Sequence, residues 1–146
     1  MFEHILMPTD GSSHALRAAE YAADIARRYN AKVMVLFVAE LPPVIGIAPG
    51  EERQTEIRRE LTRQGGEALR RTREVFEKLN VRPREELAFG SAVPSIIQYA
   101  KEGSYDLIVI GSRGAGTGAI EQILIGSVAE GILHGAPCPV LMVRPC

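Results

Sequence analysis

The sequence predicts a doubly wound α/β domain: one open sheet of five parallel strands in the order 3-2-1-4-5, with helices on both faces. Three observations predict it. Short apolar runs alternate with longer amphipathic stretches along the 146 residues. The strongest of these runs, "DLIVIG" and "PVLMVR", are continuously apolar, as a parallel sheet buried on both faces requires. Turn chemistry follows the first and fourth runs, at the strand ends where such sheets hold ligands. Strands separated by helices form parallel units whose crossovers are right-handed almost without exception.

The elements follow in order. "HILMPT" (4–9) is the first strand, and "DGSS" ends it. A helix runs from Ser12 or Ser13 to about Tyr29, with Leu16, Ala19, Ala23 and Ile25/Ala26 on one face. Arg17, Glu20, Asp24 and Arg27/Arg28 take the other face. "AKVMVLFVAE" (31–40) is the second strand. "ELPPVIGIAPGEE" (40–52) is either a surface connection or a flap over the ligand end of the sheet, because Val44, Ile45 and Ile47 would be odd on a bare loop. Residues 51–80 form a long charged helix with a thin stripe of Ile57, Leu61, Gly65, Ala68, Phe76 and Leu79. Gly65 and Gly66 are expected to bend or weaken it, and its charges read as a solvated face. "EELAFG" (85–90) is a weaker third strand. The next helix starts at "SAVPSIIQYAKEG", with Ser91 as cap and Pro94 in the first turn. "DLIVIG" (106–111) is the fourth strand. A helix from Ser127 stops near His134-Gly135, where the glycine supplies the turn, and "PVLMVR" (139–144) is the fifth strand.

The bulk numbers narrow the class. A hydrophobic fraction of 46% suits one core, so residues 1–146 read as a single domain. A net charge of −1 argues against a nucleic-acid binder. Two cysteines, Cys138 and Cys146, are too few for a secreted disulfide scaffold, so Cys138 reads as a reduced, small core residue. His4, His14 and His134 are scattered in sequence, and no Cys/His metal cluster accompanies them. "MFEHILMPTDGSS" lacks the basic start and apolar run of a signal peptide, and no apolar stretch reaches the roughly 18 residues that span a bilayer. The expectation is a cytoplasmic protein with no membrane and no nucleic-acid partner.

Two segments carry chemistry. "IVIGSRG" leaves a strand into glycines, whose amides can approach an anion closely. Gly126 then precedes Ser127 at a helix start, where unpaired amides and the helix dipole favour phosphate. "SVAE" also has the form of a capping box, in which Ser127 would accept from the Glu130 amide. A hydroxyl can serve both roles. In "PTDGS", Asp10 either accepts from ribose or adenine, helps hold a metal, or forms an Asx turn into the helix. Arg113 is the nearest cation to the glycine loop, and either pairs with phosphate or is solvated. There is no P-loop lysine, no general base and no nucleophile in a recognisable pattern, so an activity would be at most a slow ATPase.

"ILMPTDGS", "DLIVIGSRG", "IGSVAEGIL" and "APCPVLMVRP", in this order, resemble the universal stress protein family over nearly the whole chain. The resemblance implies this fold, usually as a homodimer, and in one branch an ATP site marked by G-x2-G-x9-G-[S/T]. Carried over by match, Gly111, Gly114, Gly126 and Ser127 would serve phosphates and ribose, with Val128 beside them. Pro8, Thr9, Asp10 and Val38 would serve the adenosine. The chain departs from that pattern between the halves. Eleven residues, 115–125, separate Gly114 from Gly126, and counting back nine reaches Gly116 instead. Either Gly114 or Gly116 would face the phosphate.

The implied ligand is ATP, or AMP or ADP, with or without Mg²⁺. The implied role is a nucleotide-dependent switch acting on a regulatory protein. The alternative is a dimeric interaction module of the same fold that binds no nucleotide. The last apolar strand, 139–144, has nothing in this sequence left to cover its edge, so it is expected to pair with its copy in a two-fold dimer.

Overall fold

The computed structural model describes residues 1–41, 50–112 and 125–144, with the backbone alone at Glu51 and Glu52. Among these residues, five strands and four helices alternate as β1 (His4–Pro8), α1 (Ser13–Tyr29), β2 (Lys32–Ala39), α2 (Glu51–Lys78), β3 (Arg84–Phe89), α3 (Ala92–Glu102), β4 (Leu107–Gly111), α4 (Ser127–Gly135) and β5 (Val140–Val143). All four pairings are parallel, in the order β3-β2-β1-β4-β5. This is the order that the sequence predicts. The strands begin and end within a residue or so of the apolar runs.

The sheet divides the core in two. Ile5, Met7, Val33, Val35 and Val109 face α1 and α2. Leu6, Met34, Leu36, Ile108 and Ile110 face α3 and α4. Alternate residues of each central strand point to opposite faces, and both faces are covered, which is why these runs are apolar throughout.

α1 docks on the sheet through Ala15, Ala18, Ala19, Ala22, Ala23 and Ala26, all buried. Leu16 lies half-buried at the flank, not at the centre of the face that the spacing assigns to it. Alanines at the centre let the helix backbone lie close to the strands, and a leucine there would hold it off. α2 runs unbroken through Gly65 and Gly66, against the expectation of a bend. A Cβ on Gly65 would come within 2.5 Å of Leu87 Cδ1 and 2.7 Å of Phe37 Cδ1, so this glycine lets the helix close on β2 and β3. The stripe holds, but it omits Thr72, which is fully buried.

α3 starts as expected, with Ser91 as N-cap and Pro94 in the first turn, although the serine side chain makes no cap bond. α4 ends differently from the expectation. Gly135 stays helical and Ala136 is the C-cap, in extended backbone. A Cβ on Gly135 would meet Ile97 Cδ1 at 2.5 Å, so this glycine serves the packing of α4 on α3 instead of a left-handed turn. Cys138 is half-buried against the second core face, and burial pushes its thiol pKa up. Among the described residues β5 pairs with β4 alone, as an edge strand with Val140, Leu141 and Met142 only partly covered. Among the described residues, no helix is long and apolar enough to cross a membrane.

Candidate functional site

The carboxyl ends of β1, β2 and β4 and the first turns of α3 and α4 enclose a cavity of about 480 Å³. Pro8, Thr9, Asp10, Val38, Gly111, Gly126, Ser127 and Val128 all line it. Eight of the sequence-predicted site residues are therefore brought together from four separate segments. Arg113, Gly114 and Gly116 lie outside the described residues, as do Val44, Ile45 and Ile47.

The first wall is the turn from β1 into α1, and its own side chains tie it down. Asp10 Oδ1 accepts from the Ser12 amide at 2.9 Å, which is the Asx turn. Ser12 caps α1, its Oγ accepting from the Ala15 amide at 3.3 Å. Thr9 Oγ1 accepts from the Gly11 amide at 3.1 Å and lies 2.8 Å from Thr72 Oγ1. Thr72 donates in turn to the Ala68 carbonyl at 2.8 Å, so Thr9 is the donor of that pair. The Thr9 hydroxyl thus faces α2 and is spent on structure, and only the rest of the residue meets the cavity. Gly11 has φ +75°, and a Cβ there would lie 2.8 Å from Ala68 Cα. The turn is clamped directly onto the middle of α2.

The second wall is the end of β2 with the start of α3. Val38 and Leu36 are apolar lining, and Ala92 and Ile96 face them from α3. Glu40 lines the cavity too, its Oε1 accepting from the Ala92 amide at 2.6 Å. That carboxylate satisfies the α3 N-terminus, where a negative charge also suits the helix dipole. Sequence reasoning nominated the end of β2 but not Glu40. The available signal was an acidic residue just beyond a buried strand, at the edge where ligands bind. α3 is held from behind by Tyr99, whose pKa is pushed up to about 12, mainly by its hydrogen bond to Glu86 and then by burial.

The third wall is β4 with the start of α4. Gly111 ends β4, and a Cβ there would press on the backbone of His14 at 3.0 Å, so the glycine has a packing role in seating α1. The N-cap of α4 is Gly126, in extended backbone, with no side-chain cap bond. Its amide donates to the Ser112 carbonyl at 2.7 Å, and its carbonyl accepts from Glu130 at 3.0 Å. The capping box read from "SVAE" is therefore not formed. Ser127 is the first helical residue, one position too late to cap, and it is exposed. Among the described residues, nothing accepts from the amides of Ser127, Val128 and Ala129, which are among the donors a helix start leaves unpaired within the helix.

The profile of the universal stress protein family matches residues 1–144. The chain belongs to that family. A universal stress protein of Methanocaldococcus jannaschii is 37% identical over 144 residues, which cover 99% of this chain and 83% of that one. Among solved structures, universal stress protein UspA from Lactobacillus plantarum has a TM-score of 0.79 at 25% identity, covering 98% of both chains. The universal stress protein from Archaeoglobus fulgidus in complex with dAMP has a TM-score of 0.69 at 23% identity, covering 99% of this chain and 98% of that one. As a universal stress protein, the chain carries the fold that its neighbours share, and the open α4 start is the feature that separates its third wall from the other two.

Proposed function

We propose that this universal stress protein binds an adenine nucleotide in the cavity, with the phosphates on α4 and the base between β2 and α3. The observation that carries the reading is the contrast among helix starts. Asp10 and Ser12 serve α1 and Glu40 serves α3, whereas α4 meets the cavity with no side-chain cap. A helix N-terminus with open amides favours an anion. Carboxylates at Asp10 and Glu40 would repel phosphates from the other walls, which fixes the direction of the nucleotide. Asp10 Oδ2 bonds no other described residue and would accept from a ribose hydroxyl. Apolar Val38 and Ile96 suit a base. The Archaeoglobus relative solved with dAMP supports the ligand class.

In this reading ATP, ADP or AMP is the ligand, with or without Mg²⁺. The protein acts as a homodimer through the open edge of β5 and as a nucleotide-dependent switch on a regulatory protein. Titration calorimetry with ATP and Mg²⁺ tests it. Micromolar binding that Gly126→Val with Ser127→Ala abolishes is the expected result. Gly126 has φ −65° and ψ 155°, a backbone any residue adopts, so the valine fills space without imposing strain. The longer spacing between Gly114 and Gly126 favours a second reading, a dimeric interaction module without nucleotide. No heat with ATP, ADP or AMP would select that module. A monomer in light scattering at micromolar concentration would remove the dimer from both readings.

A further inference from the structure

The opposite pole of the molecule, at the amino ends of the strands, carries a second groove of about 520 Å³. Arg27, Lys32, Arg82 and Arg84 line it, and no acidic residue does. The side chains of these four make no hydrogen bond or ion pair to a described residue, whereas Arg28, Arg63, Arg70 and Arg73 are each paired with a carboxylate. α1 and α2 both end at this groove, and each helix C-terminus offers roughly half a negative charge, which together offsets about one of the four cations. A positive excess remains. Uncompensated like charges cost stability, and chains tolerate such conflicts chiefly where function requires them.

The backbone that carries these cations is fixed. Asn30 (φ 54°) and Asn80 (φ 60°) close the two helices in left-handed backbone. Ala31 then donates to the Ala26 carbonyl at 2.9 Å, and Val81 to the Phe76 carbonyl at 3.0 Å. Pro83 restricts the chain just after Arg82. Ala31, Val33 and Val81 add apolar lining beside Asn30 and Asn80. A neighbouring lobe of about 560 Å³ shares Asn80, Val81 and Arg82 and is lined beyond them by Arg73 and Glu77, which pair with each other, so the groove is extended and not a cup for one phosphate.

We propose that this groove docks an acidic peptide segment of a partner protein. Its carboxylates meet Arg27, Lys32 and Arg82, and an aliphatic side chain lies on Val81. A nucleic acid is the poorer match, because the chain as a whole is at −1 and the patch is confined to a few cations. The groove and the cavity of about 480 Å³ lie at opposite ends of the strands, so docking here leaves the cavity open.

Fluorescence polarisation tests the proposal, with a dye-labelled peptide of glutamates around two leucines, in salt of about 0.1 M. The expected result is saturable binding that Arg27→Glu/Arg82→Glu weakens about tenfold or more, with the neutral Arg27→Gln/Arg82→Gln in between. Both altered side chains, Arg27 and Arg82, are exposed, and matching circular dichroism of the variants guards against unfolding. Absent binding, or binding that ignores both variants, overturns the proposal. So does retention of tripolyphosphate or a DNA oligonucleotide in the same groove when the peptide is not retained.

Discussion

α1 and α4 both begin at the same edge of the sheet and both face the cavity, yet their first turns are built in opposite ways. α1 is preceded by a turn whose side chains bond its own backbone: Asp10 to Ser12, Thr9 to Gly11 and Ser12 to Ala15. α4 is preceded by Gly126, which offers no side chain at all. A turn that satisfies itself is rigid and has little left for a ligand beyond one carboxylate oxygen. A turn that leaves its amides open is available to an anion. The shape of the cavity is set by the first turn, and its capacity for charge by the second.

The comparison breaks most severely at Gly11. Gly11→Ala puts a Cβ 2.8 Å from Ala68 Cα at φ +75°. The left-handed backbone and the overpacking together are expected to cost about 3 kcal/mol. For a chain of this size the melting midpoint should fall by about 10 °C. An unchanged midpoint would show that the turn is not clamped to α2.

Thr72→Val tests the same clamp from the other side. It keeps the shape and removes the acceptor of the Thr9 hydroxyl, which is buried. An unpaired buried hydroxyl is expected to cost about 1–3 kcal/mol, measured by urea unfolding. The Val replacement should also raise amide exchange at Gly11, since Thr9 would be free to turn away.

How far these two turns could be read from sequence differs for a physical reason. The strand order, the helix on each face and the position of the cavity follow from apolar runs and strand ends, so they were legible. The Asx turn at Asp10 was legible too, because its bond is local. The clamp was not, because Thr9 and Thr72 are 63 residues apart and only the fold brings them together. Glu40 on Ala92 escaped for the same reason, across 52 residues. The "SVAE" pattern misled because a capping box needs its serine one position before the helix, and the extended backbone falls at Gly126 instead. Gly65 and Gly135 misled likewise, since packing on Phe37, Leu87 and Ile97, and not backbone freedom, explains them.

The wall between the two turns gives a smaller effect. Tyr99 holds α3 to Glu86 of β3, and that bond is the main cause of its raised pKa of about 12. In the unfolded chain the phenol ionises near its ordinary value of 10.0. The stability from this bond is complete below that pH and is lost as pH rises from there through about 12. Tyr99→Phe is expected to cost about 1 kcal/mol at neutral pH and to flatten the alkaline limb of the stability curve. Absorbance of tyrosinate during an alkaline titration measures the pKa directly.

The smallest expected effect is the most discriminating one. Ser12→Ala removes a real cap and should cost about 1 kcal/mol. Ser127→Ala removes a hydroxyl that caps nothing, so its stability should stay within about 0.5 kcal/mol of the parent. If Ser127→Ala costs as much as Ser12→Ala, the capping box forms in solution and the hydroxyl is committed to the helix. If it costs nothing and yet weakens adenine-nucleotide binding by about tenfold, the hydroxyl belongs to the ligand. Equal stability with unchanged binding would leave the open amides of α4 to hold the phosphates alone.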